Sequence, residues 1–271
     1  GSCMRALIEI AKILPPLTQF FDSNRVIQFK EVGTTGFGDR LRGISLLMFL
    51  SRLYKVDCFC YVEKSSDAFP WNIADLIEIE GIRFMQGEDR IDGSYFLKVN
   101  HNSAKGTIIK KFGYGGMKRI KPKSPVVKTK IDSMPLGAHC IGVHIRTTDS
   151  IHTNRPGHAP KDVTGRMLKA INNLSTLNGC SHAYLACDSL EARNTWSDII
   201  TANTDLRVIH NSASYDSDRL RQTNSDDMIT DFFALSKCGF LLRSVPSEFS
   251  RFAALTGGLK MKYNQLEGKL V

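Results

Sequence analysis

Short apolar runs alternate with amphipathic segments through the second half of the chain. The apolar runs, each bounded by polar residues, predict strands at residues 140–145, 183–187, 206–209 and 240–242. The amphipathic segments predict helices at residues 161–174, 190–200, 226–236 and 248–255. Strands that alternate with helices in this way predict an α/β fold with a parallel, doubly wound sheet.

The first half of the chain has a weaker pattern, which predicts strands at residues 25–30, 56–62 and 94–99 and a helix at 39–53. The apolar residues of this helix recur close to the helical period; they are Leu41, Ile44, Leu47, Met48 and Leu53. Residues 122–135 are basic, contain prolines and hold few apolar residues, which is typical of a connection between domains. We therefore expect two domains, over residues 1–130 and 131–271.

Composition and charge exclude some classes of function but leave several open. With 42% hydrophobic and 23% charged residues, the 271-residue chain is an ordinary globular protein. Its net charge of +9 suits nucleic acid, an anionic membrane surface or a small polyanion such as a nucleotide diphosphate. Basic residues concentrate in residues 105–130, which hold few aromatics and no known nucleic-acid-binding module. A solvated surface is therefore the favoured interpretation of this stretch.

The seven cysteines are scattered and form no Cys-x-x-Cys pair. An odd number of cysteines, mostly inside apolar runs, indicates buried thiols in a reducing compartment rather than a disulfide framework or a zinc site. The sequence has no run of 18 apolar residues, and no signal peptide is visible in it. A cytoplasmic location without a membrane span is therefore expected.

Ligands of doubly wound sheets bind outside the carboxyl ends of the strands, so the residues after each predicted strand are the candidates for chemistry. His144, Arg146 and Asp149 lie at the end of the first of these strands. The planar guanidinium of Arg146 suits a diphosphate, and a surface ion pair with Asp149 is the alternative. Asp188 follows the next strand, where it either binds a ribose or base edge or caps the following helix.

Ser247 stands at the start of the last predicted helix. A hydroxyl and free N–H groups at a helix start form a natural phosphate site. Arg251 lies one turn later and can face the same anion. Because Arg146, Ser247 and Arg251 all fall at one edge of the predicted sheet, a diphosphate site is expected there.

A glycine-rich turn precedes the helix of the first half, and Gly36 and Gly38 in it would let a ligand approach the backbone. The turn matches neither the Walker loop nor the dinucleotide fingerprint. Asp39 is interpreted either as a general base or as the cap of this helix. Residues 216–218 spell Asp-Ser-Asp, a pattern of metal-dependent sugar transferases, but three letters are weak support and no metal site is predicted.

Four segments of the sequence together resemble a known superfamily. They are GFGDRLRGI at residues 36–44, IGVHIRTTD at 141–149, YLACD at 184–188 and DFFALSKCGFLLRSVPSEFSRFAAL at 231–255. The resemblance is to the fucosyltransferases that include the α-1,6-fucosyltransferases, the rhizobial nodulation fucosyltransferases and the protein O-fucosyltransferases. The His-x-Arg and Ser-x-Phe-Ser-Arg elements are fairly specific to this superfamily.

The resemblance implies a GT-B-like architecture of two Rossmann-like domains, an N-terminal acceptor-side domain and a C-terminal nucleotide-sugar-binding domain. It implies inverting, metal-independent transfer from a nucleotide-diphosphate sugar, GDP-fucose by default, to a hydroxyl of a glycan or glycoprotein, without a further cofactor. Arg146 is implied to contact the donor β-phosphate, and the expected catalytic base is Asp39 or, second, Asp149. The expected donor-binding residues are Gly36, Phe37, Gly38, Arg40, His144, Asp188, Asp231, Ser247, Glu248, Phe249, Ser250 and Arg251.

Thr147 is the main departure from the superfamily, since many relatives have a second Arg at this position. One phosphate contact is therefore missing or is supplied by Arg251 or Arg40. The chain is also shorter than most relatives and lacks the cysteine framework of the secreted animal enzymes. A UDP-sugar donor such as UDP-xylose stays open, as does a non-catalytic nucleotide- or nucleic-acid-binding protein.

Overall fold

The computed structural model describes residues 4, 8, 27–31, 36–55, 58–62, 69–84, 95–99, 114–147, 163–212, 224–245, 247–258 and 262–265. The chain forms two compact units, Gly1–Lys123 and Ser124–Val271. The sequence had placed this division after residue 130. Each unit is built around its own sheet.

The first unit contains a mixed six-stranded sheet. Its elements are β1 (Ile27–Glu31), α1 (Phe37–Tyr54), β2 (Cys58–Val62), a 3₁₀ turn (Ile73–Asp75), β3 (Ile77–Ile79), β4 (Ile82–Phe84), β5 (Tyr95–Val99), a 3₁₀ helix (Tyr114–Arg119) and β6 (Ile120–Pro122). The strand order is β5-β1-β2-β4-β3-β6. In this order, β5, β1, β2 and β4 are parallel to one another, whereas β3 pairs antiparallel with both of its neighbours, β4 and β6. The short strands β3, β4 and β6 were not predicted, because three-residue strands give too little alternation to detect.

The second unit contains a five-stranded sheet. Its elements are α2 (Pro125–Asp132), β7 (Cys140–Ile145), α3 (Val163–Asn178), β8 (His182–Cys187), α4 (Leu190–Asn203), β9 (Arg207–Ile209), α5 (Ser225–Lys237), β10 (Phe240–Arg243), α6 (Glu248–Thr256) and β11 (Lys262–Gln265). The strand order is β11-β10-β7-β8-β9, and every pair is parallel. The predicted parallel sheet is confirmed.

Helices cover both faces of this second sheet. Side chains alternate between the two faces along a strand. Ile141, Val143 and Ile145 of β7 join the apolar cluster under α3 and α4, where Trp196 is buried. Gly142 lies on the other face, where a Cβ atom would stand 2.9 Å from Leu235 Cδ2 of α5. The sheet is therefore doubly wound, as predicted.

Helix α2 corrects the interpretation of residues 122–135 as a bare connection. Pro125 occupies the first turn, where proline fits a helix. Val127 and Ile131, four residues apart, are the buried pair, and the helix packs against α5. The basic residues between them conceal this narrow apolar stripe in the sequence. Among the helices in the described ranges, none is both long and apolar enough to cross a membrane.

Candidate functional site

The carboxyl ends of β7, β8 and β10 lie side by side, with β7 in the centre. Ile145 at the end of β7 pairs with Cys187 of β8, and His144 pairs with Arg243 of β10. Arg146, Asp188 and Ser244 each follow directly after one of these three strands. The sequence-predicted Arg146 and Asp188 are therefore brought to one edge of the sheet, together with a serine that was not predicted.

Ser244 connects the ends of β7 and β10. The backbone N–H of Arg146 donates a hydrogen bond to Ser244 Oγ over 3.0 Å. The backbone N–H of Ser244 donates in turn to the carbonyl oxygen of His144 over 2.9 Å. Ser244 is only 3% exposed, so its hydroxyl is a buried acceptor for the residue that carries the candidate phosphate-binding side chain.

Asp188 connects the ends of β7 and β8. Its two carboxylate oxygens accept from the backbone N–H of Thr147 over 3.0 and 2.9 Å, and Thr147 Oγ1 donates to Asp188 Oδ1 over 3.0 Å. Asp188 is not the cap of α4: that cap is Ser189, whose Oγ accepts from the N–H of Ala192 over 3.2 Å. Of the two sequence interpretations of Asp188, helix capping is therefore wrong.

Helix α6 begins at this same edge, with Ser247 at the N-cap position. The Ser247 side chain makes no cap hydrogen bond, and its Oγ, in a residue only 4% exposed, has no hydrogen-bond partner within the described part of the chain. A buried hydroxyl of this kind is unusual, because burial without a partner carries a desolvation penalty. Because this hydroxyl is at the N-cap position of a helix, it suits an anion that would complete its hydrogen bonding.

Two arginines, Arg243 and Arg251, have polar contacts at the start of α6. Arg243 Nη1 donates to the Ser247 carbonyl oxygen over 3.0 Å, and Arg251 Nη1 pairs with Glu248 Oε1 over 3.3 Å. Arg243 was not among the predicted site residues, although a charged residue that ends an apolar run was a usable signal. Ser250 is buried and donates its hydroxyl to the Ser247 carbonyl over 3.2 Å, so it supports the first turn of α6.

Aromatic rings from β7, α5 and α6 pack together where α6 begins. The His144 ring stands 5.2 Å from the Phe249 ring, and Phe249 contacts Phe232 edge-on at 5.5 Å. Both His144 and Phe249 were predicted to bind the donor, and the structure places them in contact with each other. Their packing fixes the first turn of α6 against the end of β7.

Asp231 is buried within α5 on the same face of the sheet. Tyr184 Oη donates a hydrogen bond to Asp231 Oδ1 over 2.6 Å. Burial raises the pKa of Asp231 to about 7, with a smaller raising effect from Asp227, while the Tyr184 hydrogen bond and Arg193 oppose the rise. The predicted donor-binding Asp231 therefore has a partner on β8 that the sequence did not reveal.

The predicted residues of the first unit cluster at the start of α1. The N-cap is Gly36, with Asp39 in the first turn, so the interpretation of Asp39 as the helix cap is wrong. Phe37 is buried and stacks on Phe69 at 6.0 Å. Arg40 is fully buried, with its guanidinium carbon 5.0 Å from the Phe69 ring centre. Gly38 is buried in the first turn of the helix.

Two sequence candidates lie outside the described residues. They are Asp149, the second candidate base, and the Asp-Ser-Asp pattern at residues 216–218. Their roles stay predictions.

No family model matches the chain, and no curated protein matches it by sequence. Solved structures do match. The fucosyltransferase NodZ from Bradyrhizobium aligns with a TM-score of 0.55 at 15% identity, over 90% of this chain and 97% of NodZ. POFUT1 in complex with GDP aligns with a TM-score of 0.55 at 11% identity, over 89% of this chain and 98% of POFUT1. This chain has the fucosyltransferase-type fold.

A third match is NodZ α-1,6-fucosyltransferase soaked with GDP-fucose, with a TM-score of 0.50 at 16% identity, over 85% of this chain and 92% of that chain. The predicted resemblance and the α/β fold class are thus confirmed. In this fucosyltransferase-type fold, the residues assembled by β7, β8, β10 and α6 occupy the carboxyl edge of a doubly wound sheet, where ligands of such sheets bind.

Proposed function

We propose that the protein is a glycosyltransferase that moves a sugar from a nucleotide-diphosphate donor to a hydroxyl of a glycan or a protein. Support comes from the fold that it shares with fucosyltransferases solved with GDP or GDP-fucose. The single observation that carries the proposal is the buried Ser247 hydroxyl, without a described partner, at the start of α6 and on the sheet edge that bears Arg146. GDP-fucose is the donor to test first, and a UDP-sugar such as UDP-xylose is the second.

The donor diphosphate would bind to the start of α6. The Ser247 hydroxyl and backbone N–H groups at the start of α6 would donate to phosphate oxygens, and Arg146 would donate from the end of β7. Arg243, which binds the Ser247 carbonyl, adds positive charge at the same place. These fixed donors stabilise the charge that develops on the leaving diphosphate.

The reaction would be a single displacement at the anomeric carbon. The acceptor oxygen bonds to that carbon as the bond to the β-phosphate oxygen breaks, so the configuration inverts. The acceptor proton passes to a carboxylate, for which Asp39 is the first candidate and Asp149 the second. Arginines and a helix start neutralise the leaving group in this scheme, so the proposal requires no metal ion.

The test combines ligand binding with turnover. Thermal shifts with GDP, UDP, GDP-fucose and UDP-xylose identify the donor, because stabilisation increases with ligand concentration relative to its Kd. Release of the nucleoside diphosphate from the preferred sugar nucleotide then measures transfer or donor hydrolysis. Arg146→Ala should lower kcat by about 100-fold or more, the effect typical of removing one donor to a developing anion. Arg207→Ala, an exposed arginine at the opposite edge of the sheet, is the matched control and should keep wild-type turnover.

Three results would contradict the proposal. If no nucleoside diphosphate stabilises the protein, the site at α6 is wrong. Binding without any release of diphosphate from the sugar nucleotide would indicate a non-catalytic nucleotide-binding protein. Full turnover by a folded Arg146→Ala variant would remove Arg146 from the mechanism.

A further inference from the structure

The two residues that follow β7 are held from both sides. Ser244, directly after β10, accepts from the N–H of Arg146 over 3.0 Å. Asp188, directly after β8, accepts from the N–H and the hydroxyl of Thr147. Both acceptors are buried, at 3% and 8% exposure. The chain is therefore fixed for two residues beyond the last residue of β7.

We propose that Ser244 and Asp188 are positioning residues that fix the backbone of Arg146 and Thr147 and so direct the Arg146 side chain toward the donor diphosphate. Neither residue needs to touch the donor in this role. This inference rests on the proposed function. It adds that Ser244 and Asp188 are needed to position Arg146, a role that the sequence did not predict for either residue.

The reason lies in the alternation of side chains along a strand. Residues 141, 143 and 145 point to the face covered by α3 and α4, and residues 142 and 144 point to the face of α5 and α6. If the backbone stays extended past Ile145, Arg146 is the next residue on the α5 and α6 face, which carries Ser247. The hydrogen bonds to Ser244 and Asp188 hold the backbone in this alternation after Ile145, where the pairing of β7 with its neighbouring strands has ended.

Thr147 fits this role. Its hydroxyl donates to Asp188 Oδ1 over 3.0 Å and lies 3.3 Å from Ser189 Oγ. Thr147 therefore serves as an anchor between β7 and β8, and Arg146 is left as the cation of this strand end.

The experiment compares nucleoside diphosphate with monophosphate binding in the full chain. The readout is the ratio of the GMP Kd to the GDP Kd, with UMP and UDP used if the wild type prefers uridine. Arg146 is proposed to contact the β-phosphate, so its correct placement increases this ratio, whereas a general loss of stability weakens both ligands alike. The variants are Ser244→Ala, Ser244→Thr and Asp188→Asn. Ser236→Ala is the matched control, a buried serine bonded to the Phe233 carbonyl and located at the opposite edge of the sheet.

Ser244→Ala and Asp188→Asn should each reduce the ratio by about tenfold, because each removes or weakens a buried acceptor for the loop that carries Arg146. Ser244→Thr keeps the hydroxyl and should keep the wild-type ratio, as should Ser236→Ala. A wild-type ratio in folded Ser244→Ala and Asp188→Asn would overturn the inference. If these variants do not fold, amide hydrogen exchange of the wild type provides the test. Amides of Arg146 and Thr147 that exchange without protection would overturn the inference as well.

Failure of this inference is distinguishable from failure of the proposed function. If the wild type binds mono- and diphosphates equally, the diphosphate site itself is wrong. A different outcome separates the two claims: the wild type prefers the diphosphate, Arg146→Ala loses that preference, and Ser244→Ala keeps it. In that case the proposed function stands, and only the positioning role of Ser244 fails.

Discussion

Asp231 is a buried carboxyl group whose pKa is raised by its surroundings. It lies on a buried helix face, and its carboxyl group accepts a hydrogen bond from Tyr184 Oη. Burial raises the pKa of Asp231 to about 7, whereas an aspartate in an unfolded chain has a pKa of about 3.9. At a pH between these two pKa values, Asp231 keeps its proton in the folded protein, whereas the same carboxyl group has released it in the unfolded chain.

The free energy of unfolding should therefore fall as the pH rises from about 4 to about 7 and then level off. Asp231→Asn cannot ionise and still offers Tyr184 an acceptor, so it should remove this contribution. We expect the variant to gain stability relative to the wild type as the pH rises from about 5 to about 8, measured by urea unfolding at a series of pH values. Asp198→Asn, at an exposed position on α4, is the matched control. Parallel pH profiles for the wild type and Asp231→Asn would contradict the pKa of Asp231.

The local environment of Asp231 could not be predicted from the sequence. The apolar period of residues 226–236 correctly predicted a helix, and Asp231 falls on its buried side. Nothing in that period identifies Tyr184 as the partner, because the two residues are 47 apart in the sequence and meet only through the packing of α5 on β8.

Among the elements, β7 and β10 come close to other chain segments at two glycines, one within β7 and one just before β10. A Cβ atom on Gly239, just before β10, would lie 2.8 Å from the carbonyl carbon of Ala138 and closer still to its oxygen. A Cβ atom on Gly142 of β7 would instead meet Leu235 Cδ2 at 2.9 Å. The first obstacle is backbone, and the second is the end of a flexible side chain.

Gly239→Ala should consequently destabilise the protein more than Gly142→Ala. We expect losses in the free energy of unfolding of about 3 kcal/mol and about 1 kcal/mol, the upper and lower parts of the range for overpacked sites. Urea unfolding of the two variants under one condition gives the comparison. Equal losses would show that Ala138 moves as easily as the Leu235 side chain.

Helix prediction succeeded where an apolar stripe was wide and failed where it was narrow. The helix observed at Val163–Asn178 buries Met167, Ala170, Ile171 and Leu174, a pattern with a clear period. Helix α2 buries only Val127 and Ile131 among the residues after its proline. Two buried residues in eight do not define a period, so this helix depends on packing against α5 rather than on a strong local signal.

At the scale of the whole molecule, each compact unit holds its own sheet and one of the two tryptophans. Trp71 lies in the first unit and Trp196 in the second. The apolar cluster around Trp196 is formed entirely by residues 141–242. The second unit therefore contains a complete core of its own.

A fragment of residues 124–271 should fold without the first unit. We expect a single cooperative urea transition, with Trp196 fluorescence and far-ultraviolet circular dichroism changing together, because the core cluster is intact in the fragment. The full chain carrying Trp71→Phe provides the reference signal of a native Trp196. A non-cooperative transition, or a Trp196 spectrum that matches the unfolded chain, would show that the second unit depends on the first.

The sequence by itself determined the doubly wound sheet of the second unit and the edge at which Arg146, Asp188 and Ser247 lie. Hydrophobic periodicity is local, and the rule that ligands bind at the carboxyl ends of parallel strands then locates the site. Only the tertiary structure decided which groups meet there. Ser244 bonds to Arg146 and Asp188 to Thr147, and these partners are 98 and 41 residues apart. Such pairs depend on the strand order β10-β7-β8, because strand order sets which chain ends become neighbours.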